Sequence, residues 1–215
     1  METIDIAVIV AVQDAGRAKS RLGAHLDPGQ RHSLVQAMLD DLLTAVREVH
    51  TGQIVVVSPV HGYDTVAHGH DAEVLRDLGT GYLPAVMLGI THVATCGGVL
   101  VLPGDLPQAR GEDVRALLHA LRLAPVVLAP SIDGGTCALG LRPPDVMTPA
   151  FGADSAARHR EAARTAGLAL HEIRLSSLNR DVDTIDDLEA VWGQVGEATT
   201  AILEQIPIVL PGAQR

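Results

Sequence analysis

The stretch Ile6-Ala7-Val8-Ile9-Val10-Ala11-Val12, with Arg17-Ala18-Lys19-Ser20-Arg21-Leu22 a few residues on, decides how this chain folds. The first run is apolar at every position and of strand length. Such a strand must be covered on both faces, as inside a parallel sheet. The second run places cations at three alternate positions in the short loop that leaves the strand. Ligands of open α/β sheets bind outside the carboxyl ends of the strands, so this loop stands where a ligand is expected. Lys19 is the chain's one lysine, in a protein of formal net charge -10. Three cations against that background suit a polyanion, most simply a nucleotide triphosphate.

Outward from this point the pattern alternates. Asp27-Pro28-Gly29-Gln30 starts a helix, with Asp27 as cap, Pro28 at the first helical position and Gln30 at capping-box spacing. Apolar residues then recur at Leu34, Met38, Leu42, Ala45 and Val49, close to a period of 3.6. Residues 54–58 read as a second strand, the polar, His-rich residues 59–71 as loop, and residues 72–75 as a short strand. A helix over 83–94 leads to a buried strand over 98–103 that ends at Gly104-Asp105-Leu106-Pro107. A helix over 112–123, a strand over 126–130, the turn Asp133-Gly134-Gly135-Thr136 and a strand over 137–141 follow. A helix over 155–166, a strand over 168–175 and a last helix from Thr184 complete the pattern. Alternating strands and helices predict a three-layer α/β domain with a mostly parallel mixed sheet. No linker or change of composition divides it, so residues 1–215 read as one domain, with 196–215 as a tail packing on the body.

At 215 residues the chain is long enough to bury a sizeable core. With 2% aromatic residues that core must be aliphatic. The acidic balance argues against nucleic acid as a partner, and so few aromatics leave no platform for stacking bases. Cys96 and Cys137 lack the spacing of a disulfide scaffold or a zinc site and read as small apolar residues. No apolar run approaches membrane-spanning length and no signal-like region precedes the first strand, so no membrane partner and a cytoplasmic location are expected.

Polar clusters recur directly after apolar strands: Arg17 to Arg21, Asp105, Asp133 to Thr136, and Asp181 with Asp183. In a mostly parallel sheet these ends converge on one edge, where cations for phosphates meet carboxylates for a metal. Mg²⁺ takes oxygen ligands and keeps waters or substrate phosphates in its shell, so one or two aspartates suffice. Asp181 and Asp183 lie two apart, and in extended backbone both face the same way. Thr184 and Asp187 already supply the next helix with its cap, which frees that pair. The reaction class is nucleotidyl or phosphoryl transfer, run by positioning and charge neutralisation. Gly134-Gly135-Thr136 suits either close approach to a phosphate or an ordinary tight turn. Ser155 can cap the helix it precedes while that helix N-terminus receives an anion. His68-Gly69-His70-Asp71 reads as polar loop rather than metal site. His159 either faces the site or covers its helix.

The chain resembles the guanylyltransferase family of coenzyme F420 biosynthesis over about residues 8–191. The segments that carry the likeness are Ala18-Lys19-Ser20-Arg21-Leu22, Ala37-Met38-Leu39-Asp40-Asp41, Leu102-Pro103-Gly104-Asp105-Leu106-Pro107 and Asp133-Gly134-Gly135-Thr136. Phe151-Gly152 with Ser155 and His159, and Asp181-Val182-Asp183-Thr184 followed by Asp186-Asp187-Leu188, complete the set. The resemblance implies a nucleotidyltransferase fold of the GT-A-like, Rossmann-like kind with a seven-stranded or similar mixed sheet. It implies GTP and a small phosphoacid as substrates: phosphoenolpyruvate, 2-phospho-L-lactate or 3-phosphoglycerate. It places Arg17, Lys19, Arg21 and Gly81 on the nucleotide, with Lys19, Arg21 and Asp105 as the catalytic set. Asp105, Asp181 and Asp183 would hold Mg²⁺, and Thr136, Gly152 and Ser155 the phosphoacid. Two positions depart from the family pattern. Gln13 stands where a lysine is common, and Gly81-Tyr82-Leu83 where Gly-Leu-Asn is usual. A different nucleotide or acceptor, or ligand binding without catalysis, are the alternatives these departures raise.

Overall fold

The structure, a computed structural model, describes residues 4–206, with the backbone alone at 17 and 18. The first apolar run forms strand β1 (Ile6–Ala11), and a helical turn α1 (Ala15–Ala18) and a 3-10 turn (Ser20–Ala24) follow it. The remaining elements are α2 (Pro28–Arg47), β2 (Ile54–Ser58), α3 (Asp64–Gly69), β3 (Glu73–Arg76), α4 (Tyr82–His92) and β4 (Gly98–Pro103). Then come α5 (Gly111–Leu123), β5 (Val126–Pro130), β6 (Thr136–Leu141), α6 (Ser155–Thr165), β7 (Leu170–Glu172), α7 (Ile185–Val191) and α8 (Glu197–Gln205).

The strands make one seven-stranded sheet in the order β3-β2-β1-β4-β6-β5-β7. β6 runs antiparallel to both neighbours, and the other pairings are parallel. β1 lies inside the sheet between β2 and β4, with Val8 opposite Ile54 on one side and Leu100 on the other. Its side chains alternate between two cores, as a strand buried on both faces requires. Val8 and Val10 pack with Leu34, Met38 and Leu42 of α2, Leu117 of α5 and Leu203 of α8. Ala7, Ile9 and Ala11 pack with Val86 and Ile90 of α4 and with Ala156 and Ala163 of α6. This is the expected three-layer α/β arrangement with a mostly parallel mixed sheet.

The predicted capping box of α2 is present: Asp27 Oδ1 accepts from the Gln30 N–H at 2.9 Å, and Gln30 Oε1 accepts from the Asp27 N–H at 2.9 Å. Four expectations need correction. Residues 59–71 are not all loop, because a 3-10 turn and α3 are pinned there by buried Tyr63 and Ala67. Helices this short have little stability of their own and are held by tertiary contact, so periodicity does not announce them. For the same reason the cationic stretch is wound into helical turns rather than loop. The strand read over 168–175 is only three residues long, an edge strand paired with β5 alone. The first part of the expected tail is helix α8, whose N-terminal N–H groups of Ala198 and Thr199 donate to the carboxylate of buried Asp41 at 2.9 Å each. Residues 207–215 lie outside the described residues. Among the described residues no helix is long and apolar enough to cross a membrane.

Candidate active site

The chain leaves β1 toward β2 and β3 on one side and returns to β4 on the other. The gap between the carboxyl ends of β1 and β4 is therefore the topological switch point, where α/β sheets bind ligands. A cleft of about 380 Å³ opens there, lined among others by Gln13, Lys19, Asp105, Thr136, Ser155, Asp181 and Asp183.

Each wall is fixed locally. Tyr63 staples the exit of β1: its buried hydroxyl accepts from the Ala15 N–H and donates to the Gln13 carbonyl, both at 3.3 Å. At the exit of β4 the Gly104 N–H donates to the Ala11 carbonyl at 3.0 Å, and buried Leu106 anchors the turn, so Asp105 is set at the sheet edge. In the segment before α7, Val182 is wholly buried between Asp181 and Asp183, so both carboxylates face the cleft as their spacing predicted. Thr184 and Asp187 form the expected capping box, which leaves that pair free for the cleft.

Lys19 is 2% exposed and points into this carboxylate group. Its Nζ donates to Asp183 Oδ1 at 2.7 Å and also to Asp105 Oδ2. Burial alone would lower the ammonium's pKa, but the two carboxylates outweigh burial and hold it above its ordinary value. Asp181 is also pushed up, to about 6, which for a carboxylate disfavours the charged form, through burial and the repulsion of Asp105 and Asp183. The ligand oxygens of Asp105, Asp181 and Asp183 lie within 4.8 Å of one another, close enough to share a metal ion after a small contraction. Three carboxylates facing one ammonium carry excess negative charge. A donor set of oxygens with that excess fits a hard divalent cation.

The opposite wall is built of hydroxyls. Asp133 Oδ1 accepts from the Gly135 N–H at 3.0 Å and from the Ser131 hydroxyl, which ties the Gly134-Gly135 turn together. Those bonds hold its carboxyl below the usual range. Ser155 is the first residue of α6 and does not cap it; Asp154 precedes it in the left-handed region at φ 52°. The Ser155 hydroxyl instead donates to Thr136 Oγ1 at 2.9 Å, and Nδ1 of His159 lies 3.1 Å from the same oxygen. His159 thus faces the site's wall, fully buried. The next N–H of α6, on Ala156, is taken by the Gly134 carbonyl at 3.2 Å. The expected anion site at this helix end is thereby reduced to fewer free donors. Gly152, at φ 116°, lets the backbone turn into the cleft where a side chain would be strained.

A second cleft of about 450 Å³ adjoins the first, sharing Val12 and Gln13 and reaching Asp77, Thr80 and Gly81. Gly81 starts α4 at φ 133°.

The structure therefore gathers Lys19, Asp105, Thr136, Gly152, Ser155, Asp181 and Asp183 in one cleft and sets Gly81 in its neighbour. It does not bring Arg21 in: that residue is exposed on the 3-10 turn and lines neither cleft. In that turn the side chain of Lys19 goes to the carboxylates, not outward to a phosphate, while the neighbouring Leu22 is buried in the core. The side chain of Arg17 lies outside the described residues. Sequence reasoning missed Tyr63 and Tyr82. The Tyr82 side chain lines the cleft, packs edge-on against Phe151 at 5.1 Å between ring centres, and its buried hydroxyl has no protein partner among the described residues. No local pattern marks either tyrosine. His70 of the His-rich stretch pairs with Asp40 at 2.6 Å and joins no metal-binding group among the described residues.

A mixed sheet with a carboxylate trio at its switch point defines an α/β protein whose polar site lies where such folds bind ligands. The same fold occurs in a Desulfovibrio desulfuricans G20 protein classed with the nucleotide-diphospho-sugar transferases. That likeness has a TM-score of 0.77 at 18% identity and covers 94% of this chain and 95% of that one. The chain belongs to the CofC-like guanylyl transferase family, whose model matches residues 6–208. It is 39% identical over 189 residues to the phosphoenolpyruvate guanylyltransferase of Sphaerobacter thermophilus, covering 86% of this chain and 91% of the relative. It is also 37% identical over 207 residues to the 3-phospho-D-glycerate guanylyltransferase of Phenylobacterium zucineum, covering 92% and 95%. The chain is thus a nucleotidyltransferase.

Proposed function

We propose that this chain transfers GMP from GTP to phosphoenolpyruvate and releases pyrophosphate, as a cytoplasmic step of coenzyme F420 assembly with Mg²⁺ as cofactor. An oxygen of the acceptor's phosphate attacks the α-phosphorus of GTP. The bond to the bridging oxygen of the β-phosphate breaks, and pyrophosphate leaves with that electron pair. The carrying observation is one cleft with the carboxylates of Asp105, Asp181 and Asp183 on one wall and the hydroxyls of Thr136 and Ser155 on the other.

Mg²⁺, when bound by the three aspartates, supplies charge neutralisation for a triphosphate. Lys19 holds Asp105 and Asp183 in place and removes part of their mutual repulsion. Thr136 and Ser155 offer polar contacts to the acceptor, and the turn at Gly152 gives its anion close access to backbone. Gln13 and Gly81 border the neighbouring cleft, which suits the nucleoside end of GTP. No side-chain nucleophile is needed. The one cysteine in the cleft, Cys137, is buried and its thiol is pushed up, so it is not a thiolate at neutral pH.

A second reading keeps the chemistry and changes the acceptor to 3-phosphoglycerate, favoured by the Phenylobacterium relative. The test is pyrophosphate release with Mg²⁺, each of GTP, ATP, CTP and UTP, and each of phosphoenolpyruvate, 2-phospho-L-lactate and 3-phosphoglycerate, with product mass measured. Release with GTP and phosphoenolpyruvate at the highest kcat/KM supports the reading. Preference for another pair, or no release from folded protein, overturns it.

A further inference from the structure

His159 is buried on α6 behind the hydroxyl wall, with no exposed atom. Its two ring nitrogens have fixed partners. The Ala150 backbone N–H donates to Nε2 at 2.8 Å. A backbone N–H only donates, so Nε2 carries no proton and the neutral ring must carry it on Nδ1. Nδ1–H then donates to Thr136 Oγ1, 3.1 Å away. The ring cannot turn out of this arrangement, because Phe151 packs edge-on against it at 5.0 Å between ring centres.

Thr136 Oγ1 has two lone pairs and one proton. One lone pair accepts from His159 and the other from the Ser155 hydroxyl, 2.9 Å away. Both acceptor positions are filled, so the remaining role of the Thr136 hydroxyl is to donate. With Ser155 as donor in that contact, no other protein acceptor for the Thr136 proton is recorded among the described residues, and Thr136 lines the cleft. A phosphorylated acid presents anionic oxygens, which accept hydrogen bonds and donate none.

We propose that His159 is a positioning residue that commits the Thr136 hydroxyl to donating a hydrogen bond into the cleft, to an anionic oxygen of the acceptor substrate. The identity of that substrate rests on the function proposed above; the hydrogen-bond polarity does not. With an apolar residue at 159, Thr136 Oγ1 loses one of its donors, its proton can rotate, and the directed contact weakens. The consequence falls on the acceptor alone, because GTP is assigned to the other side of the cleft.

Two measurements test this. The first is nitrogen NMR of the histidine-labelled protein between pH 6 and 8, which needs no substrate. A neutral His159 ring protonated on Nδ1 is expected; a ring protonated on Nε2, or on both nitrogens, overturns the proposal whatever the enzyme's substrates prove to be. The second uses calorimetric binding of phosphoenolpyruvate and steady-state kinetics. His159→Leu should raise the Kd and KM for phosphoenolpyruvate about tenfold and leave the KM for GTP within twofold. His159→Gln, whose amide accepts through oxygen and donates through nitrogen, should recover most of that loss. In a Thr136→Val background, His159→Leu should change acceptor affinity less than twofold. An equal loss in both backgrounds, or equal effects on both substrates, marks His159 as a mere packing residue and overturns the proposal. If the parent enzyme turns over no phosphoenolpyruvate at all, the substrate assignment fails while the ring-proton measurement still decides the role of His159.

Discussion

The ammonium of Lys19 lies 2.7 Å from Oδ1 of Asp183, a residue 164 positions later in the chain. The same Nζ also donates to Asp105, so one buried cation ties the first strand's exit to two other sheet-edge segments. The site's electrostatics are organised around this contact.

Replacing Lys19 by Met removes the cation and leaves Asp105 and Asp183 facing Asp181 without it. Losing one partner of a wholly buried pair costs about 3–5 kcal/mol. Asp105 and Asp183 are 22% and 40% exposed, so roughly 1–3 kcal/mol of stability should be lost here. Added Mg²⁺ should raise the melting temperature of Lys19→Met more than that of the parent, because the divalent ion then supplies the missing charge. Equal shifts in thermal melts with and without MgCl₂ would show that Lys19 does not neutralise the carboxylate trio in place of a metal ion.

Asp105→Asn keeps shape and removes a charge from the trio. Pyrophosphate release should fall by about 10²-fold or more, the scale typical of losing a group that neutralises developing charge. The circular dichroism spectrum should not change, since the Asp105 side chain is partly exposed and outside the core. Unaltered turnover would remove Asp105 from the proposed metal-binding set.

Asp41 sits on α2 and accepts from the N–H groups of Ala198 and Thr199 at the start of α8. It caps a helix that begins more than 150 residues away. Asp41→Ala should cost about 1–2 kcal/mol. For a chain of this size that corresponds to a fall in Tm of roughly 2–8 °C. kcat should stay the same, because Asp41 does not line the cleft. Hydrogen exchange at Ala198 and Thr199 should accelerate in the variant, and unchanged exchange would disprove the cap.

His159 also governs acid stability. Burial, with a smaller contribution from Arg158, lowers its pKa from 6.5 to about 4. The folded state therefore binds fewer protons here than the unfolded state between those values. The stabilisation is full above about pH 6.5 and is lost as pH falls through 4. That lowering from 6.5 to about 4 corresponds to roughly 3 kcal/mol at most. Asp181 acts in the opposite sense. Its raised pKa makes the folded state more stable below the ordinary carboxylate range, and that gain disappears as pH rises through about 6. The useful measurement is thus the difference between parent and His159→Gln in urea unfolding at pH 7 and pH 4.5. The parent should lose more stability than the variant over that interval. Parallel losses would mean that the ring is protonated freely in the folded state.

The elements were legible where local pattern is strong. The run from Ile6 reads as a two-faced strand because every position is apolar, and Asp27 with Gln30 reads as a helix start because both capping partners lie within four residues. Asp181 and Asp183 were legible as one carboxylate face because extended backbone repeats every second residue. The short helical turns over 15–24 and 61–69 were not legible, since they hold through Tyr63, Leu22 and Ala67 in the core rather than through their own propensity.

The alternation of strands and helices, the acidic, aromatic-poor character of the chain and the strand ends on which its polar residues fall can all be read from the amino-acid order alone. Each of these follows from interactions between residues a few positions apart. That Lys19 turns to carboxylates instead of phosphate, that Arg21 stays outside the cleft and that His159 faces Thr136 emerges only once the chain is folded. Side-chain partners are chosen where distant segments meet, and strand order and burial, which place those meetings, leave no periodic trace in the chain.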